Sequence, residues 1–366
     1  MKVAIVHDWL VQYGGAERVV EDFLAMYPDA TIYTLVYDKK RMPERFQHYH
    51  IVTTGMQKWP FATKLYKNFL IFMPKQFEAL DLSSYDLVIS SCSSCCKGVL
   101  TNVTTPHICY CHTPTRYVWD MYQQYLSHAG FLKKLFMPSM IHKMRLWDRV
   151  AADRVDYFVS NSYYIRKRIK KYYHRDAVTI YPGVKLNPKP ALDKADDYYI
   201  IVSRFVYYKR IDLAIEACNK LQKRLVIIGS GDESKMLKKL AGPTIEFNGS
   251  LTDDEVQESF LHAKAFLFPG EEDFGSTPVE AQSAGVPVLA YGKGGALETV
   301  IGGKTGLFFE EQTVDSLVDC INKFEKDGVS YSRKEIQQYS QKFSQNNFHK
   351  NFMAYVDQCM KEWKEE

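Results

Sequence analysis

Short apolar runs alternate with amphipathic stretches in the first half of the chain, and this alternation predicts strands separated by helices. Residues 3–6 form an apolar run, and residues 15–26 follow with Val19, Val20 and Phe23 at helical spacing. Further strands are expected at residues 32–36, 85–90, 107–111, 157–161 and 178–181. Helical segments separate these runs, which indicates βαβ units and a parallel sheet.

The same pattern restarts in the second half, after a polar, proline-containing stretch at residues 187–197 that is typical of a linker. Strands are expected at residues 198–203, 224–229, 244–247, 265–268 and 286–290, with helices at 211–220 and near 345–363. The sequence therefore predicts an α/β fold with doubly wound domains at residues 1–186 and 187–344, and a final helical segment at 345–366.

Composition narrows the class of protein. The chain has 366 residues, enough for two domains with full cores, and its 46% hydrophobic and 25% charged residues are typical of a soluble globular protein. A net charge of +4 is too small to indicate a nucleic-acid partner, and no apolar run approaches the roughly 20 residues that span a bilayer. The N-terminus enters a strand at once, without the apolar region of a signal peptide, so we expect a cytosolic protein.

Eight cysteines raise the question of a metal site or of disulfides. Cys92, Cys95 and Cys96 cluster after an apolar run, while Cys109 and Cys111 share a predicted strand and lack the spacing of a zinc knuckle. We therefore expect free, reduced and partly buried thiols, with a metal site as the less favoured alternative.

A candidate binding site lies where the predicted strand at 265–268 gives way to a polar loop and a short helix. Thr277 suits the N-cap of that helix, with Pro278 at its first position and Glu280 at its third. Glu272 in the loop and Glu280 in the helix then bracket a helix N-terminus at the carboxyl end of a strand. Open α/β sheets bind ligands at this edge, and helix N-termini favour phosphate.

A purely structural interpretation of the same residues is also open. Thr277 and Glu280 have the spacing of a capping box, in which Glu280 would serve only its own helix. The acidic residues at 271–273 would then form a solvated loop.

The wider context favours the functional interpretation. Residues 269–300 read PGEEDFGSTPVEAQSAGVPVLAYGKGGALETV. This segment resembles the donor-site signature of family 4 glycosyltransferases, which have the GT-B fold, and its wording is most similar to mannosyltransferases that build bacterial O-antigen and exopolysaccharide repeat units. The resemblance implies two Rossmann-like domains that face each other across a cleft. Residues 1–186 would bind the acceptor, residues 187–344 the nucleotide-sugar donor, and the helix in 345–366 would cross back to the first domain.

The resemblance also implies a reaction. It is the retaining transfer of mannose from GDP-mannose to a polyprenyl-diphosphate-linked saccharide, without a metal or another cofactor. The sequence has no apolar-flanked Asp-x-Asp suited to a divalent ion and no residue with the character of a covalent nucleophile. We therefore expect a front-face displacement that is assisted by the leaving phosphate.

Other activities stay open at this point. They are transfer from another GDP- or UDP-sugar, nucleotide-sugar binding without transfer, and epimerisation on the same fold. A dehydrogenase is disfavoured because no G-x-G-x-x-G follows the first strand.

Four residues are the predicted catalytic set. Arg204 and Lys209 follow a predicted strand, and two cations there would stabilise the charge that a nucleotide diphosphate gains as it leaves. A solvated basic loop is the alternative, but the spacing resembles the family's arginine–lysine diphosphate clamp. His112, directly after another predicted strand, matches the family's active-site histidine, which faces the donor sugar. The resemblance implies that Glu272 binds sugar hydroxyls. Arg116 is a candidate residue on the acceptor side.

The resemblance implies further donor-binding residues. They are Gly14, Gly15, Phe247, Asn248, Gly249, Phe274, Gly275, Ser276, Thr277 and Glu280. Glu280 would bind the ribose, and the backbone around Phe274 and Gly275 would help hold the sugar and phosphate. The glycine pair at 14–15 would let the first helix approach the diphosphate, and residues 247–249 would line the base pocket.

Residues 57–79 interleave lysines with aromatic residues. An aromatic and basic surface suits peripheral binding to anionic lipid headgroups. The alternative is an amphipathic helix that packs on the core with its lysines in water. We predict that the first domain sits on the inner face of the cell membrane and receives a lipid-linked saccharide there.

Overall fold

The computed structural model describes residues 1–127, 130–326 and 331–365, with the side chains of 131–133 outside the description. The chain forms two compact units, Met1–Gly183 together with Phe348–Glu366, and Val184–Asn347. The observed borders follow residues 183 and 347, whereas the predicted borders follow 186 and 344. Residue 366, at the end of the predicted final segment, lies outside the described residues.

The first unit is built on a parallel sheet that has seven strands within the described residues. They are β1 (Val3–His7), β2 (Thr31–Thr34), β3 (Ile51–Thr53), β4 (Leu87–Cys92), β5 (His107–Cys111), β6 (Tyr157–Ser160) and β7 (Val178–Thr179). Their order across the sheet is β3-β2-β1-β4-β5-β6-β7. The order reverses direction between β1 and β4, and open sheets bind ligands at the carboxyl edge of such a switch point.

Helices connect these strands. They are α1 (Gly15–Met26), α2 (Ala62–Leu65), α3 (Met73–Glu78), α4 (Tyr122–Ser127), α5 (Phe131–Asp153) and α6 (Tyr163–Tyr173), with 3-10 turns at Glu44–His48, Gly55–Lys58, Tyr66–Phe72 and Cys96–Gly98. Helix α1 has the predicted bounds because Val19, Val20 and Phe23 recur on one face and are buried in the core of the unit.

The second unit repeats this design. Its strands are β8 (Tyr199–Val202), β9 (Leu225–Ile228), β10 (Ile245–Gly249), β11 (Ala265–Phe268), β12 (Val288–Tyr291) and β13 (Gly306–Phe309). Its helices are α7 (Ile211–Leu221), α8 (Ser234–Leu240), α9 (Asp253–His262), α10 (Ser276–Ser283), α11 (Ala296–Thr299), α12 (Val314–Lys326) and α13 (Arg333–Ser340), with 3-10 turns at Tyr207–Lys209 and Gln341–Phe343. The strand order is β10-β9-β8-β11-β12-β13, so the switch point lies between β8 and β11.

The last helix, α14 (Gln345–Glu365), belongs to the first unit from Phe348 onward. The rings of Phe348 and Phe352 are buried 6.0 and 4.7 Å from the ring of Phe23 in α1. Tyr110 of β5 lies 5.7 Å from Phe348 in the same cluster. Residues near the two ends of the chain therefore pack in the same core.

The predicted α/β class with doubly wound sheets is confirmed. Strands β5 and β11 have the predicted bounds, and the other predicted strands are present with ends shifted by a few residues. Two short strands, β3 and β13, were missed. Ile51–Thr53 is too short for a periodic signal, and β13 begins with a glycine, which is uncommon in strands.

The stretch at 57–79 is not the single amphipathic helix of the alternative interpretation. It breaks into α2, α3 and two 3-10 turns. Tyr66, Leu70 and Phe77 are buried in the core, whereas Phe61 and Phe72 are exposed. No helix in the described parts of the chain is both long and apolar enough to cross a bilayer.

Candidate active site

The carboxyl edge of the second sheet carries most of the predicted donor-binding residues. Arg204 follows β8 and Glu272 follows β11, so the two flank the switch point. Residues 247–249 end strand β10, which lies two strands from β8 in the same sheet. Because these strands run parallel, their carboxyl ends lie at the same edge.

Lys209 and Glu272 form an ion pair at this edge. Lys209 ends the 3-10 turn at Tyr207–Lys209, and the two side chains are only 18% and 14% exposed. Water and salt screen such a pair less than a surface pair. The structure thus brings together the predicted clamp lysine and the predicted sugar-binding carboxylate. Arg204 lies on the preceding loop with an exposed side chain, outside this ion pair.

The loop that carries Glu272 is fixed by close backbone packing. A Cβ atom on Gly294, where φ is +65°, would lie 2.4 Å from the carbonyl oxygen of Glu272. A Cβ atom on Gly295 would lie 2.4 Å from Cα of Phe274. The amide of Gly295 also donates to the carbonyl of Glu272 at 2.8 Å. Glycine is therefore required at these two positions for the loop to keep its place.

Helix α10 begins two residues earlier than predicted, which corrects the capping assignment. Its N-cap is Gly275, with φ of +81°, and no side chain caps the first turn. Ser276 and Thr277 are therefore the first helical residues, and the predicted capping box of Thr277 with Glu280 is absent. Amides of an uncapped first turn are suited to an anion, and Glu280 lies one turn further on, half-buried.

The loop after β8 is held by hydrogen bonds to the turn after β9. The amide of Phe205 donates to the carbonyl of Ser230 at 2.9 Å, and its carbonyl accepts from Glu233 at 3.1 Å. The ring of Phe247 lies 6.1 Å from the ring of Phe205, while Asn248 and Gly249 are exposed. Phe205 is buried and Phe247 is half-buried, so the two rings anchor the Arg204 loop to the end of β10.

In the first unit, the glycine pair at 14–15 stands directly before α1. Gly14 is the N-cap, and no side chain caps this helix. Glu17 in the first turn is buried and reaches His7, the last residue of β1, with 3.4 Å between Oε1 and Nε2. The glycine pair therefore lies beside the switch point of the first sheet.

His112 follows β5 and is held from several sides. Its amide donates to the carbonyl of Cys92 at 2.9 Å, and its carbonyl accepts from Nδ2 of Asn161 at 3.0 Å. Its Nε2 lies 2.8 Å from the hydroxyl of Ser91 in β4. Arg116 lies on the turn that follows, half-buried.

A buried ion pair fixes this turn. Lys97 and Asp148 are each 1% exposed and contact each other. Asp148 also accepts hydrogen bonds from Thr115 at 2.9 Å, Trp119 at 2.7 Å and Tyr173 at 2.9 Å. Burial alone would lower the pKa of Lys97, but the charge of Asp148 raises it above its ordinary value. The loop that carries His112 and Arg116 is thus tied to α5 and α6.

All eight cysteines are free, and they are fully rather than partly buried. Ligand atoms of Asp8, Cys92 and Cys96 lie within 4.8 Å of one another, the one such group among the described residues. However, the two carboxylate oxygens of Asp8 accept four backbone N–H groups of residues 93–96, at 2.7–2.9 Å. These bonds occupy the lone pairs of the carboxylate, so the donor set does not fit a metal. Burial raises the pKa of Asp8 to about 6.

Two features of the site were not predicted from the sequence. One is the set of contacts that His7 makes with Glu17 and that Asp8 makes with the amides of residues 93–96. Two polar residues directly after a predicted apolar strand could have indicated these contacts. The other is the pairing of Lys209 with Glu272, which are far apart in sequence and meet only through the order of the strands.

Two family models match adjoining parts of the chain. The model for Glycosyltransferase Family 4 matches residues 13–187, and the model for Glycosyl transferases group 1 matches residues 184–343. Their border falls where the two units divide.

Relatives with sequence similarity include mannosyltransferases. A GDP-mannose-dependent alpha-(1-6)-phosphatidylinositol monomannoside mannosyltransferase of Mycobacterium tuberculosis is 33% identical over 140 residues, which are 33% of this chain and 36% of that protein. The similarity to that relative thus spans about a third of its length. The alpha-1,3/1,6-mannosyltransferase alg2 of Schizosaccharomyces pombe is 25% identical over 372 residues, covering 84% of this chain and 70% of that protein.

Solved structures share the fold. A crystal structure of Anabaena Alr3699/HepE in complex with UDP aligns with a TM-score of 0.74 at 16% identity, covering 98% of this chain and 100% of that one. The two family models together cover residues 13–343. The chain therefore belongs to the family 4 glycosyltransferases and has the GT-B fold.

Proposed function

We propose that this glycosyltransferase is a retaining α-mannosyltransferase that moves mannose from GDP-mannose to a lipid-linked saccharide. The observation that carries the proposal is the partly buried ion pair of Lys209 and Glu272 at the switch point of the second sheet. A diphosphate oxygen would replace the carboxylate as the partner of Lys209, which would leave Glu272 for sugar hydroxyls. The uncapped N-terminus of α10 on the same loop favours negative charge as well.

The proposed reaction breaks the bond between C1 of the sugar and the oxygen of the β-phosphate. A bond forms between C1 and an acceptor hydroxyl oxygen on the same face of the sugar, and the hydroxyl proton passes to the leaving phosphate. Arg204 and Lys209 would stabilise the charge that grows on the diphosphate, without a metal. His112 would hold the sugar in place for the attack.

The choice of GDP-mannose rests on the relatives. One of them is named as GDP-mannose-dependent, and another, which aligns over most of this chain, is a mannosyltransferase. The Anabaena structure contains UDP, so a UDP-sugar is the second candidate donor.

The acceptor is proposed to be a polyprenyl-diphosphate-linked saccharide at the inner face of the cell membrane, in the synthesis of O-antigen or exopolysaccharide. The first unit carries a surface that suits this role, and we name it the aromatic–basic patch. It consists of the exposed residues Lys58, Phe61, Lys64, Leu65, Lys67, Ile71, Phe72 and Lys75. Exposed apolar side chains between lysines match the composition of surfaces that bind anionic lipid. Phe61 is 72% exposed and has a φ of +54°, a backbone conformation that bulky residues rarely adopt.

Nucleotide release from GDP-, UDP-, ADP- and dTDP-sugars, with and without lipid-linked acceptors, tests the central proposal. We expect GDP release from GDP-mannose that rises with acceptor, survives a chelator and yields the α-linked product. In Lys209→Met and Glu272→Gln we expect kcat to fall by about 100-fold, the usual loss of a group that stabilises developing charge. Lys293→Met removes an exposed cation at the same sheet edge and serves as the control.

The other outcomes of this assay separate the alternatives. Release from a UDP-sugar alone would overturn the choice of mannose as the sugar, but the protein would still be a glycosyltransferase. Interconversion of the nucleotide sugar without acceptor would indicate an epimerase. Binding without turnover of any donor would indicate a binding protein, and a β-linked product would exclude retention.

Flotation with phosphatidylglycerol vesicles tests the membrane proposal. We expect the wild-type chain to float with these vesicles and not with phosphatidylcholine vesicles. The double variant Phe61→Ser/Phe72→Ser should remain in the soluble fraction. Val103→Ser removes a side chain that is 90% exposed elsewhere on the first unit, and it should float like the wild type. Equal flotation with both lipids, or of the double variant, would contradict the proposal.

A further inference from the structure

Four side chains form a hydrogen-bonded chain at the switch point of the first sheet. Glu17 contacts Nε2 of His7 at 3.4 Å, and Nδ1 of His7 lies 3.2 Å from the hydroxyl of Ser91. That hydroxyl lies 2.8 Å from Nε2 of His112. His7, Ser91 and His112 come from or follow three neighbouring strands, β1, β4 and β5. Glu17, His7 and Ser91 are buried, and only His112 is half-buried.

The contacts of His7 determine which of its ring nitrogens carries a proton. Its Nδ1 lies 3.0 Å from the backbone carbonyl of Ser91, and a carbonyl oxygen can only accept, so Nδ1 carries a proton. Its Nε2 faces the carboxylate of Glu17. Burial alone would lower the pKa of His7, but the hydrogen bond and charge of Glu17, with the charge of Asp8, raise it above its ordinary value.

A second buried histidine in the same sheet gives the contrast. Nε2 of His107 lies 2.8 Å from the hydroxyl of Ser90, which is next to Ser91 in β4. Burial lowers the pKa of His107 to about 4. The nearby carboxylates of Glu17 and Asp8 are therefore what set His7 apart from a histidine that is buried beside a serine.

The proton on Nδ1 of His7 determines which group is the donor in the hydrogen bond between Ser91 and His112. Because Nδ1 of His7 is a donor, the hydroxyl of Ser91 accepts from it. The hydroxyl has one proton of its own, and among its contacts in the described residues the remaining partner is Nε2 of His112. Ser91 therefore donates to His112, and Nε2 of His112 is an acceptor. The ring proton of a neutral His112 then resides on Nδ1.

We propose that Glu17 and His7 act through Ser91 as positioning residues for His112, and that they hold its ring in the Nδ1–H tautomer. With this tautomer, His112 presents a fixed N–H donor to a hydroxyl or phosphate oxygen of the nucleotide sugar. The inference deepens the proposed function, on which the role of His112 toward the donor rests. It also links the glycine pair at the start of α1 to His112, because Glu17 lies in the first turn of that helix.

The tautomer is measured directly by nitrogen NMR of ring-labelled histidine, with the His112 signals assigned by their loss in His112→Asn. We expect protonated Nδ1 and unprotonated Nε2 in the wild type, and a mixture of both tautomers in Ser91→Ala. Ser90→Ala breaks the bond between Ser90 and His107 in the same strand, and it should leave the His112 signals unchanged. Protonated Nε2 in the wild type, or unchanged signals in Ser91→Ala, would overturn the inference.

Two amide variants of His7 test the direction of the chain. The side-chain amide of Asn can replace Nδ1 of His7 as the donor to Ser91, whereas that of Gln can replace Nε2 as the donor to Glu17. We expect His7→Gln and Ser91→Ala to lower kcat by about 10-fold to 100-fold, the range for residues that orient metal-bound histidines. His7→Asn should keep more of the activity, and the donor KM should change little in all three. Equal losses in His7→Asn and His7→Gln, with equal losses of stability, would indicate a structural role only.

The NMR experiment does not depend on turnover. If the tautomer is as expected and no nucleotide sugar is turned over, the proposed function fails and the positioning of His112 stands. If sugars are turned over and the tautomer does not respond to Ser91→Ala, the positioning fails and the proposed function stands.

Discussion

At the scale of single residues, the backbone contact between Gly295 and Phe274 fixes the loop that carries Glu272. A Cβ atom at position 295 would lie 2.4 Å from Cα and the carbonyl oxygen of Phe274, although its φ of −66° suits any residue. The effect of Gly295→Ala is therefore steric, and the loop must move. We expect kcat to fall by as much as about 100-fold, since a shift of about 1 Å at a site can cost that much. Steady-state kinetics with the nucleotide sugar that the release assay selects would measure it.

Gly292→Ala is the matched control for this prediction. Its added Cβ atom would lie 3.4 Å from the nearest atom, the carbonyl oxygen of Phe309, which is ordinary van der Waals contact. Its kcat should stay close to that of the wild type. A similar loss of activity in both variants would mean that the packing of the glycines against the loop is not the cause.

Individual site residues could be predicted from the sequence only where the residues next to them in sequence indicate their position in the fold. His112 directly follows a strand, and Lys209 and Glu272 lie in the loops after two others, so their positions could be predicted from the apolar runs before them. The pairing of Lys209 with Glu272 and the chain from Glu17 to His112 depend on strand order and on backbone distances. No local pattern in the sequence reports those quantities.

At the scale of elements, two helix starts in the second unit allow a direct comparison of capping. Thr252 forms a capping box with Glu255, in which its hydroxyl accepts from the amide of Glu255 at 3.3 Å and its amide donates to the carboxylate at 2.8 Å. Thr277 has the same spacing to Glu280 but lies inside α10 and caps nothing. We expect Thr252→Val to lower the free energy of unfolding by about 1 kcal/mol and Thr277→Val to lower it much less. Urea unfolding of both variants would measure the difference, and equal losses would contradict the observed start of α10.

The elements themselves were largely predictable, because buried parallel strands and amphipathic helices leave strong periodic signals. Strands β5 and β11 were predicted with their observed bounds, and α1 was as well. The start of α10 was missed by two residues. Gly275 takes a left-handed conformation at the N-cap, and a sequence that offers a threonine and a glutamate at capping spacing predicts the wrong start.

The C-terminal end of α12 gives a prediction about pH. Burial alone would raise the pKa of Glu325, but hydrogen bonds from Lys264, Tyr199 and Lys223 lower it to about 2, from an ordinary value of 4.5. The folded pKa lies below the unfolded one, so this carboxylate stabilises the fold above about pH 4.5 and loses that effect as the pH falls toward 2. In Glu325→Gln, the thermal midpoint should be lower at neutral pH and should fall less steeply over this acid range. Glu310→Gln changes an exposed carboxylate and should keep the wild-type slope.

At the scale of the whole molecule, each unit has its own sheet and its own core, and the chain returns to the first unit at its end. The first core therefore contains residues that are distant in sequence, such as Phe23 of α1 and Phe352 of α14. The predicted domains had nearly these borders, since a change from apolar runs to polar, proline-containing sequence marks the first one. The return of the last helix to the first domain was expected from the family resemblance alone, because an amphipathic face does not specify what covers it.

This chain topology predicts that a change near the C-terminus destabilises the N-terminal unit. Phe352 is fully buried against Phe23, and Phe352→Ala should cost the first unit about 3–5 kcal/mol. Limited proteolysis followed by mass spectrometry should then show faster cleavage within residues 1–183, while a fragment close to 184–347 persists. Phe266 of β11 is buried in the core of the second unit, so Phe266→Ala should give the opposite pattern, with faster cleavage within 184–347. If Phe352→Ala accelerated cleavage of both units equally, the units would unfold together, and the separate cores would not confer separate stability.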